Sequence, residues 1–494
     1  MTAIEDFNKY IGKRRVLSHA CDLLYWDIKT LAPKKARESA ADDMAYYSSE
    51  IFALDTSDEL YDILQKLNEE DTFNSLPGYM QYVAKTMLED YTRSKRIPPD
   101  FYAEHVKITN ASAIAWEDAK RTNNYALFAP HLKAVIKSTR KMLEYTDPGK
   151  DPYEVLLDSF EKGMDSATID KLFEELKDDL IPMIREINSR GRNVSPAFSE
   201  YFDPDAQKKV QDMLLSYIGF DFERGCVGES EHPFTMTLSS DDVRVTNHYY
   251  PNDVIDSMFS AIHEGGHAVF EQNVNPDYAD TIAGGCRHMG IHESQSRFYE
   301  NILGRNRNFW IPVYDKLGEI LPRFKVIPLD DFYAAINDVK SSLIRTSADE
   351  VTYCLHIIIR YEIEKAIFKD NIDLDTLPVL WNDKMEHYLG IRPSDDAHGI
   401  LQDMHWSDGS FGYFPSYLLG SIYDGMFLEA LESELGSVDD ILKAGRIKDI
   451  TAWLNRSIHQ YGSTRTPKEV IEAVCHRPLS SKPLLNYFHK KYDR

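Results

Sequence analysis

The chain has 494 residues and a formal net charge of −24, with 43% hydrophobic and 28% charged residues. Phosphate contacts need clustered lysine and arginine, so this acidic balance argues against a nucleic-acid-binding protein. No apolar run reaches the roughly 18 residues of a membrane span, and from the acidic, amphipathic first residues we expect no secretory signal. Five widely spaced cysteines favour a reducing cytoplasm over a disulfide framework.

The first 145 residues predict a series of helices, because apolar residues recur every three or four positions in segments such as 59–67 and 131–136. Residues 146–152 contain two prolines and a glycine and predict a turn. The next helix is expected to start after Asp165. Its predicted buried face consists of Ile169, Leu172, Phe173 and Leu176.

Residues 231–250 depart from the helical pattern, with Thr, Val and Tyr placed around a Ser-Ser-Asp-Asp turn. This composition predicts a small β-hairpin. An extended edge there could hold a peptide by main-chain hydrogen bonds, and a merely connecting hairpin is an equal alternative. Helical patterning then continues to the C-terminus, interrupted at 399–417 by a stretch rich in glycine and aromatic residues. We therefore predict a mainly α fold with a small β element.

Residues 251–273 carry the pattern His263-Glu264-x-x-His267. On a helix, residues four apart lie on one face about one turn apart, so both imidazoles can reach one metal ion. Glu264 flanks that face and can act on a water molecule as a general base. The pattern therefore predicts a metallopeptidase site.

The same helix carries a start signal and an unusual pair of glycines. Asn252 or Asp253 can cap its start. Gly265 and Gly266 would each cost about 1 kcal/mol relative to alanine, so we expect another segment or a ligand to approach the backbone closely. A core helix with two incidental histidines is the alternative, since a chance match to the pattern is expected in roughly a few per cent of chains.

A catalytic zinc site usually has three protein ligands and one open position, so a further His, Asp or Glu should follow. Glu293 is the best local candidate. However, Glu293, Arg297 and Glu300 share one helix face, as a solvated ion-paired surface does. From the residues alone the solvated surface is the favoured interpretation, and His288 and His292 remain possible ligands by residue type.

Six short motifs occur along the chain, namely His232-Pro233-Phe234, Asp242-x-Arg244-x-Thr246, His263-Glu-Gly-Gly-His267, His292-Glu293-Ser294-Gln295, Ile344-Arg345-x-x-Ala348-Asp349 and Gly399-x-x-Gln402-Asp403-x-His405-Trp406. With these motifs the chain resembles the carboxypeptidase Taq family, the thermostable metallocarboxypeptidases, over essentially its whole length. The resemblance implies a large helical metallopeptidase with a deep cleft between two lobes. We expect one catalytic domain over 1–494, in which 1–150 form part of the cleft wall and 151–494 carry the motifs.

The family pattern implies that His263, His267 and Glu293 bind the metal and that Glu264 polarises the attacking water. Glu293 thereby changes from a surface residue to an expected ligand. We expect one divalent ion per chain, zinc first, with cobalt or manganese as alternatives because selectivity depends on supply as well as on ligands.

A carboxypeptidase must also recognise the terminal carboxylate of its substrate, and a bidentate guanidinium suits that planar anion best. Arg345 is favoured, because the resemblance assigns its motif to the substrate pocket, and Arg244 is second. For either arginine the alternative is a structural salt bridge, to Asp349 or Asp242 respectively.

The tetrahedral oxyanion needs a hydrogen-bond donor besides the metal. His405, together with Tyr413 or Tyr417, can supply one, and similar helical peptidases use such a His and Tyr. For each tyrosine a place in the hydrophobic core is an equal alternative.

The sequence thus predicts a cytoplasmic metallocarboxypeptidase that releases single C-terminal residues from peptides with a free C-terminus. The resemblance adds the expectation of a homodimer. An oligopeptidase or dipeptidyl carboxypeptidase with a longer cleft is the close alternative. A catalytically silent metal-binding or chaperone-like protein is a more distant one, against which the presence of Glu264 argues.

Overall fold

The structure is a computed structural model that describes residues 2–190, 198 and 200–492. These residues form 23 α-helices and one three-stranded β-sheet. The predicted mainly α fold with a small β element is confirmed, while the deep cleft between two lobes stays a prediction. Within the described ranges, no helix combines the length and the apolar character that crossing a membrane requires.

Ten helices precede the sheet: α1 Ala3–Thr30, α2 Arg37–Asp55, α3 Asp58–Leu67, α4 Glu70–Ser75, α5 Gly78–Ser94, α6 Pro99–Thr122, α7 Tyr125–Thr146, α8 Pro152–Phe160, α9 Ser166–Ser189 and α10 Pro204–Ile218. The others follow it: α11 Val254–Gln272, α12 Met289–Arg297, α13 Arg307–Trp310, α14 Tyr314–Ile320, α15 Leu329–Ile336, α16 Glu350–Lys365, α17 Leu377–Leu389, α18 His405–Asp408, α19 Phe414–Leu435, α20 Val438–Lys443, α21 Ile447–Ser457, α22 Pro467–Cys475 and α23 Lys482–Tyr492.

Two clusters of buried apolar side chains support this arrangement. The smaller is formed mainly by α1, α3 and α5, and it also includes Ala283, which follows α11 in the chain. The larger extends from Ala119 to Phe488. The expectation of one catalytic domain stays a prediction.

Helix α9 is the helix predicted after Asp165. The Asp165 side chain accepts a hydrogen bond from the Thr168 backbone N–H at 2.7 Å, which satisfies one of the free donors at the helix start. The predicted buried face is confirmed for Ile169, Leu172, Phe173 and Leu176.

The sheet has the strand order β1-β3-β2, with bounds β1 Gly225–Glu229, β2 Thr235–Ser239 and β3 Asp242–Asn247. Strands β2 and β3 pair antiparallel and confirm the predicted hairpin. Strand β1 pairs parallel to β3 and was not predicted, because Gly-Cys-Val-Gly-Glu has little strand propensity. β2 lies at one edge of the sheet, and a peptide-binding role for this edge stays a prediction.

The segment rich in glycine and aromatic residues is irregular, as predicted. It contains the short helix α18 and then a turn in which Gly409 and Gly412 adopt positive φ angles of 89° and 84°. Such angles disfavour side chains with a Cβ atom, so the turn depends on glycine. α19 begins directly after this turn.

Helix α11 confirms the helix predicted within 251–273, and Asp253 caps it by accepting from the Asp256 N–H at 3.1 Å. A Cβ atom at Gly265 would lie 2.6 Å from side-chain atoms of Ile218 and Leu215 on α10. Gly265 therefore allows α10 to approach α11 closely, as the sequence suggested.

Gly266 faces the backbone of α12. A Cβ atom there would lie 2.7 Å from both the Gln295 carbonyl oxygen and the Ser296 Cα atom. Backbone atoms cannot move aside as a flexible side chain can, so only glycine permits this distance between α11 and α12.

We predict that Gly266→Ala lowers the free energy of unfolding by about 1–3 kcal/mol, because the added methyl group overpacks this contact. Gly12→Ala is the control, since Gly12 lies within α1 and a Cβ atom there meets nothing within 4 Å. The control should stabilise the protein by about 0.5–1 kcal/mol. Urea unfolding of both metal-free variants measures the difference, and a Gly266→Ala variant as stable as the control would contradict the packing argument.

Candidate metal centre and active site

His263 and His267 lie one turn apart on α11, with imidazole centroids 5.1 Å apart. Glu293 lies on α12, which packs against α11 at Gly266. The Glu293 Oε2 atom is 3.8 Å from His263 Nε2 and 3.5 Å from His267 Nε2. One donor atom from each of the three residues lies within 4.8 Å of the other two, a grouping that can hold a metal ion.

Glu293 is buried, with 8% of its surface exposed, so the expectation of a solvated surface is wrong. Its Oε1 atom accepts a hydrogen bond from Arg297 Nε at 2.9 Å. The expected ion pair therefore exists but is enclosed. The reason is that α19 also approaches α12 closely, as a Cβ atom at Gly420 would lie 3.2 Å from Glu293 Cγ.

A second carboxylate orients His263. Glu300 Oε2 lies 2.8 Å from His263 Nδ1, so it can accept the Nδ1 hydrogen and leave Nε2 directed at Glu293. Glu300 belongs to the π-helical turn Phe298–Gly304 that continues α12, and such turns often occur at functional sites. Arg305 pairs with its other oxygen at 3.3 Å.

The electrostatic environment of His263, His267 and Glu293 favours a bound cation. Burial lowers the pKa of His267 to about 3, which keeps its imidazole neutral, as a metal ligand must be. Burial also acts to lower the pKa of His263, but the carboxylates of Glu293 and Glu300 raise it to about 9. The site therefore stabilises positive charge, and two histidines with one glutamate form a donor set that catalytic zinc uses.

Glu264 follows His263 on α11 and is also buried. The Thr235 hydroxyl on β2 donates a hydrogen bond to Glu264 Oε2 at 2.7 Å. Burial raises the pKa of Glu264, while the charge of His263 and the Thr235 hydrogen bond act in the opposite direction. A carboxylate with a raised pKa beside a metal-binding group meets the electrostatic condition for a general base.

The two other histidines considered as ligands do not belong to this group of donor atoms. His292 Nε2 pairs with Glu271 Oε1 at 2.9 Å, and its ring stacks on His267 at 4.3 Å. His288 is buried directly before α12, where burial lowers its pKa to about 4. The His292 ring therefore packs against the predicted ligand His267.

Arg345 is buried and pairs with Asp403, so the salt bridge to Asp349 offered as the alternative is not formed. Its Nε and Nη2 atoms donate to Asp403 Oδ1 at 3.1 and 2.9 Å, and Nη1 donates to the Tyr353 hydroxyl at 3.0 Å. The Asp349 carboxylate instead caps the start of α16.

Asp403 is shared between two arginines. Arg360 Nε, on a fully buried side chain, donates to Asp403 Oδ2 at 2.7 Å. Burial raises the pKa of Asp403, but the charges of Arg360 and Arg345 outweigh it and hold the pKa well below its usual range. Two guanidinium groups thus face one half-buried carboxylate, and the surplus positive charge favours an anion beside them.

Arg244 has a balanced environment. Its Nε and Nη2 atoms donate to the two carboxylate oxygens of Asp242 at 2.8 Å each, and its guanidinium lies 5.5 Å from the Trp26 ring. This is the structural salt bridge that the sequence offered as the alternative for Arg244. The pair carries no surplus charge.

His405, Tyr413 and Tyr417 lie together where α18 and α19 meet. His405 Nε2 is 3.1 Å from the Tyr417 hydroxyl, and the rings of Tyr413 and Tyr417 are 4.9 Å apart. Burial lowers the pKa of His405 to about 4 and raises that of Tyr413 to about 12, so both rings are neutral. The Arg345 guanidinium lies 5.1 Å from the Tyr417 ring, which joins the aromatic group to the arginine pair.

Comparison with known proteins identifies the family of this chain. A family model described as the carboxypeptidase Taq (M32) metallopeptidase matches residues 6–492. The chain belongs to this family.

Relatives of this M32 chain match it along nearly its whole length. Carboxypeptidase 1 of Bacillus subtilis is 40% identical over 478 residues, which are 96% of this chain and 95% of the relative. Thermostable carboxypeptidase 1 of Thermus thermophilus is 33% identical over 480 residues, or 95% and 94% of the two chains. The crystal structure of the M32 carboxypeptidase from Deinococcus radiodurans R1 matches with a TM-score of 0.94 at 28% identity and 99% coverage of each chain. The M32 chain is therefore a metallocarboxypeptidase, a peptide hydrolase of a family that uses a divalent metal.

Three residues that contact the expected site residues were not predicted from the sequence: Thr235, Glu300 and Asp403. A signal for Glu300 was present, since it shares a helix face with the expected ligand Glu293. Asp403 lies within a family motif, but its two arginine partners are remote in sequence. Nothing in the sequence indicates that the Thr235 hydroxyl reaches Glu264.

We predict that Glu300→Gln weakens binding of zinc by about 10- to 100-fold, because an amide orients His263 less firmly and removes a negative charge. Titration with zinc against a competing chelator measures the apparent Kd. Glu362→Gln on α16 is the control, since Glu362 pairs with Lys384 and Lys177 away from the metal-binding group. Equal zinc affinity in the two variants would contradict a role for Glu300 in orienting His263.

Proposed function

We propose that this enzyme releases single C-terminal amino acids from peptides, with His263, His267 and Glu293 holding one divalent metal ion. The observation that supports this proposal most strongly is the pairing of a partly buried site for a cation with a buried arginine pair that carries surplus positive charge. The first suits a hydrolytic metal and the second suits a terminal carboxylate. We propose zinc, because two histidines and one glutamate match its catalytic donor set.

A divalent ion held by these residues supplies Lewis-acid polarisation of the scissile carbonyl and lowers the pKa of a water molecule. Glu264 takes the proton from the attacking water and returns it to the leaving amine. The hydrogen bond from Thr235 fixes one Glu264 carboxylate oxygen, so the group is oriented before substrate binds.

Arg345 receives the terminal carboxylate of the substrate. Three of its five N–H groups are bonded within the described part of the chain, two to Asp403 and one to Tyr353. One N–H on each of Nη1 and Nη2 is left, and this end-on pair can bind a carboxylate through two hydrogen bonds. Arg244 is less suitable, because Asp242 already holds it in a bidentate pair.

His405 and Tyr417 supply the donor for the tetrahedral oxyanion. Their mutual hydrogen bond restrains both groups, and because both side chains are neutral, the Tyr417 hydroxyl can accept the His405 Nε2 hydrogen and donate its own hydrogen to the oxyanion. Tyr413 packs against Tyr417 and Phe160, so we assign it to support of the pair. The homodimer, the cytoplasmic location and the interlobe cleft remain predictions.

We predict that Glu264→Gln lowers kcat by at least about 100-fold, because the amide cannot accept the proton. Metal content, measured by elemental analysis, should stay at the wild-type level, since the three predicted ligands are unchanged. A variant that keeps wild-type turnover would contradict the role of Glu264.

We also predict that the enzyme cleaves peptides with a free C-terminal carboxylate much faster than their C-terminally amidated counterparts. Mass spectrometry of the products should show loss of single C-terminal residues. Equal cleavage of the two substrates, or release of internal fragments or dipeptides, would instead favour the oligopeptidase or dipeptidyl carboxypeptidase alternative.

Variants at the two arginines refine this test. Arg345→Ala should reduce the ratio of kcat/KM between free and amidated peptides at least about 10-fold, because a charged hydrogen-bond partner is lost. Arg244→Ala is the matched control and should keep the ratio near the wild-type value. The reverse result would assign the carboxylate to Arg244.

A further inference from the structure

Tyr353 on α16 is a buried residue that lies outside every motif discussed above. Only 3% of its surface is exposed, so its contacts are made within the protein. It contacts two arginines from different parts of the chain, Arg297 and Arg345. Arg297 pairs with the proposed metal ligand Glu293, whereas Arg345 is the proposed binding partner of the substrate's terminal carboxylate.

One face of the Tyr353 ring carries Arg297. The guanidinium carbon lies 3.8 Å from the ring centroid, a close cation–π contact. The same guanidinium donates through Nε to Glu293 Oε1, the carboxylate that faces both histidines. The ring therefore restrains the residue that orients the proposed third ligand.

The Tyr353 hydroxyl is a hydrogen-bond partner of Arg345. It accepts a hydrogen bond from Nη1 at 3.0 Å, while the Arg345 guanidinium carbon lies 5.9 Å from the ring centroid. Asp403 holds the opposite side of the guanidinium through Nε and Nη2. Together the two partners restrain the plane of the guanidinium and leave one N–H on each of Nη1 and Nη2 unbonded within the described part of the chain.

We propose that Tyr353 is a positioning residue that sets the spacing between the metal-binding carboxylate and the arginine that receives the substrate's terminal carboxylate. This inference rests on the proposed function. A rigid aromatic ring has few internal degrees of freedom, so a single residue that contacts both arginines defines their separation closely. That separation decides which peptide bond reaches the metal when the terminal carboxylate is bound, and therefore favours the last bond of the peptide.

Tyr353→Phe separates the two contacts, because it keeps the ring under Arg297 and removes only the hydroxyl that holds Arg345. We expect KM for an N-acylated dipeptide with a free carboxylate to rise about 5- to 10-fold, in line with the loss of a hydrogen bond to a charged group. kcat should stay within about twofold and zinc content should not change. A partly unfolded variant would instead show a lower apparent kcat with an unchanged KM, so the split separates positioning from a folding defect.

Tyr361→Phe is the matched control. Tyr361 lies on the same helix, is equally buried, and donates its hydroxyl hydrogen bond to Asp170, away from the arginines. This control should leave KM at the wild-type value. Tyr353→Leu removes the ring as well, and it should additionally weaken zinc binding about 10-fold, because Arg297 then orients Glu293 less firmly.

A double-variant comparison tests whether Tyr353 acts through Arg345. In an Arg345→Ala background, Tyr353→Phe should change KM by less than about twofold, because the group it positions is absent. An undiminished effect in that background, or a Tyr353→Phe KM equal to that of Tyr361→Phe, would overturn the inference.

These outcomes are distinguishable from failure of the proposed function. If wild-type enzyme cleaves free and amidated peptides equally, the proposed carboxypeptidase reaction fails, and the role of Tyr353 fails with it. If the wild-type enzyme discriminates and Tyr353→Phe leaves KM unchanged, the proposed function stands and only the positioning role is wrong.

Discussion

The close approach of α11 and α12 is the constraint on which the rest of the site depends. At Gly266 the two backbones come so near that no Cβ atom fits, and this contact brings Glu293 to the two histidines. Gly420 allows α19 to approach α12 as well, since a Cβ atom there would lie 3.0 Å from the Ser294 backbone nitrogen. A glutamate enclosed in this way loses hydration, and its ionised form is stabilised by the charges of His263 and Arg297 and by hydrogen bonds from His267 and Ser296.

The proposed active site combines two charged regions of opposite character. Around His263 and His267 the carboxylates of Glu293 and Glu300 favour a cation, whereas around Asp403 two guanidinium groups favour an anion. In the proposed function, the terminal carboxylate of a peptide would bind at the arginine pair and the scissile carbonyl would lie at the metal ligands, so the charges of the two regions match those of the substrate. Tyr353 contacts Arg297 in the first region and Arg345 in the second, and in our proposal it thereby sets the distance between them.

Much of this organisation was predictable from local patterns. The helical spacing of His263 and His267, the cap at Asp253, the hairpin and the irregular segment at 399–417 depend on residues close together in the chain, and they were predicted. Strand β1 was missed because its pairing partner β3, and not its own composition, holds it extended.

The sequence by itself determined the helix that carries the proposed ligands His263 and His267 and the proposed general base Glu264, because a helix of fixed geometry converts residue spacing directly into side-chain direction. Resemblance to a family then extended the prediction to Glu293 and Arg345. Only the tertiary structure decided that the Glu293 face is buried, that Arg345 pairs with Asp403 and that Arg244 is held by Asp242. Burial and ion pairing depend on which distant segments pack together, and the amphipathic pattern of one helix does not contain that information.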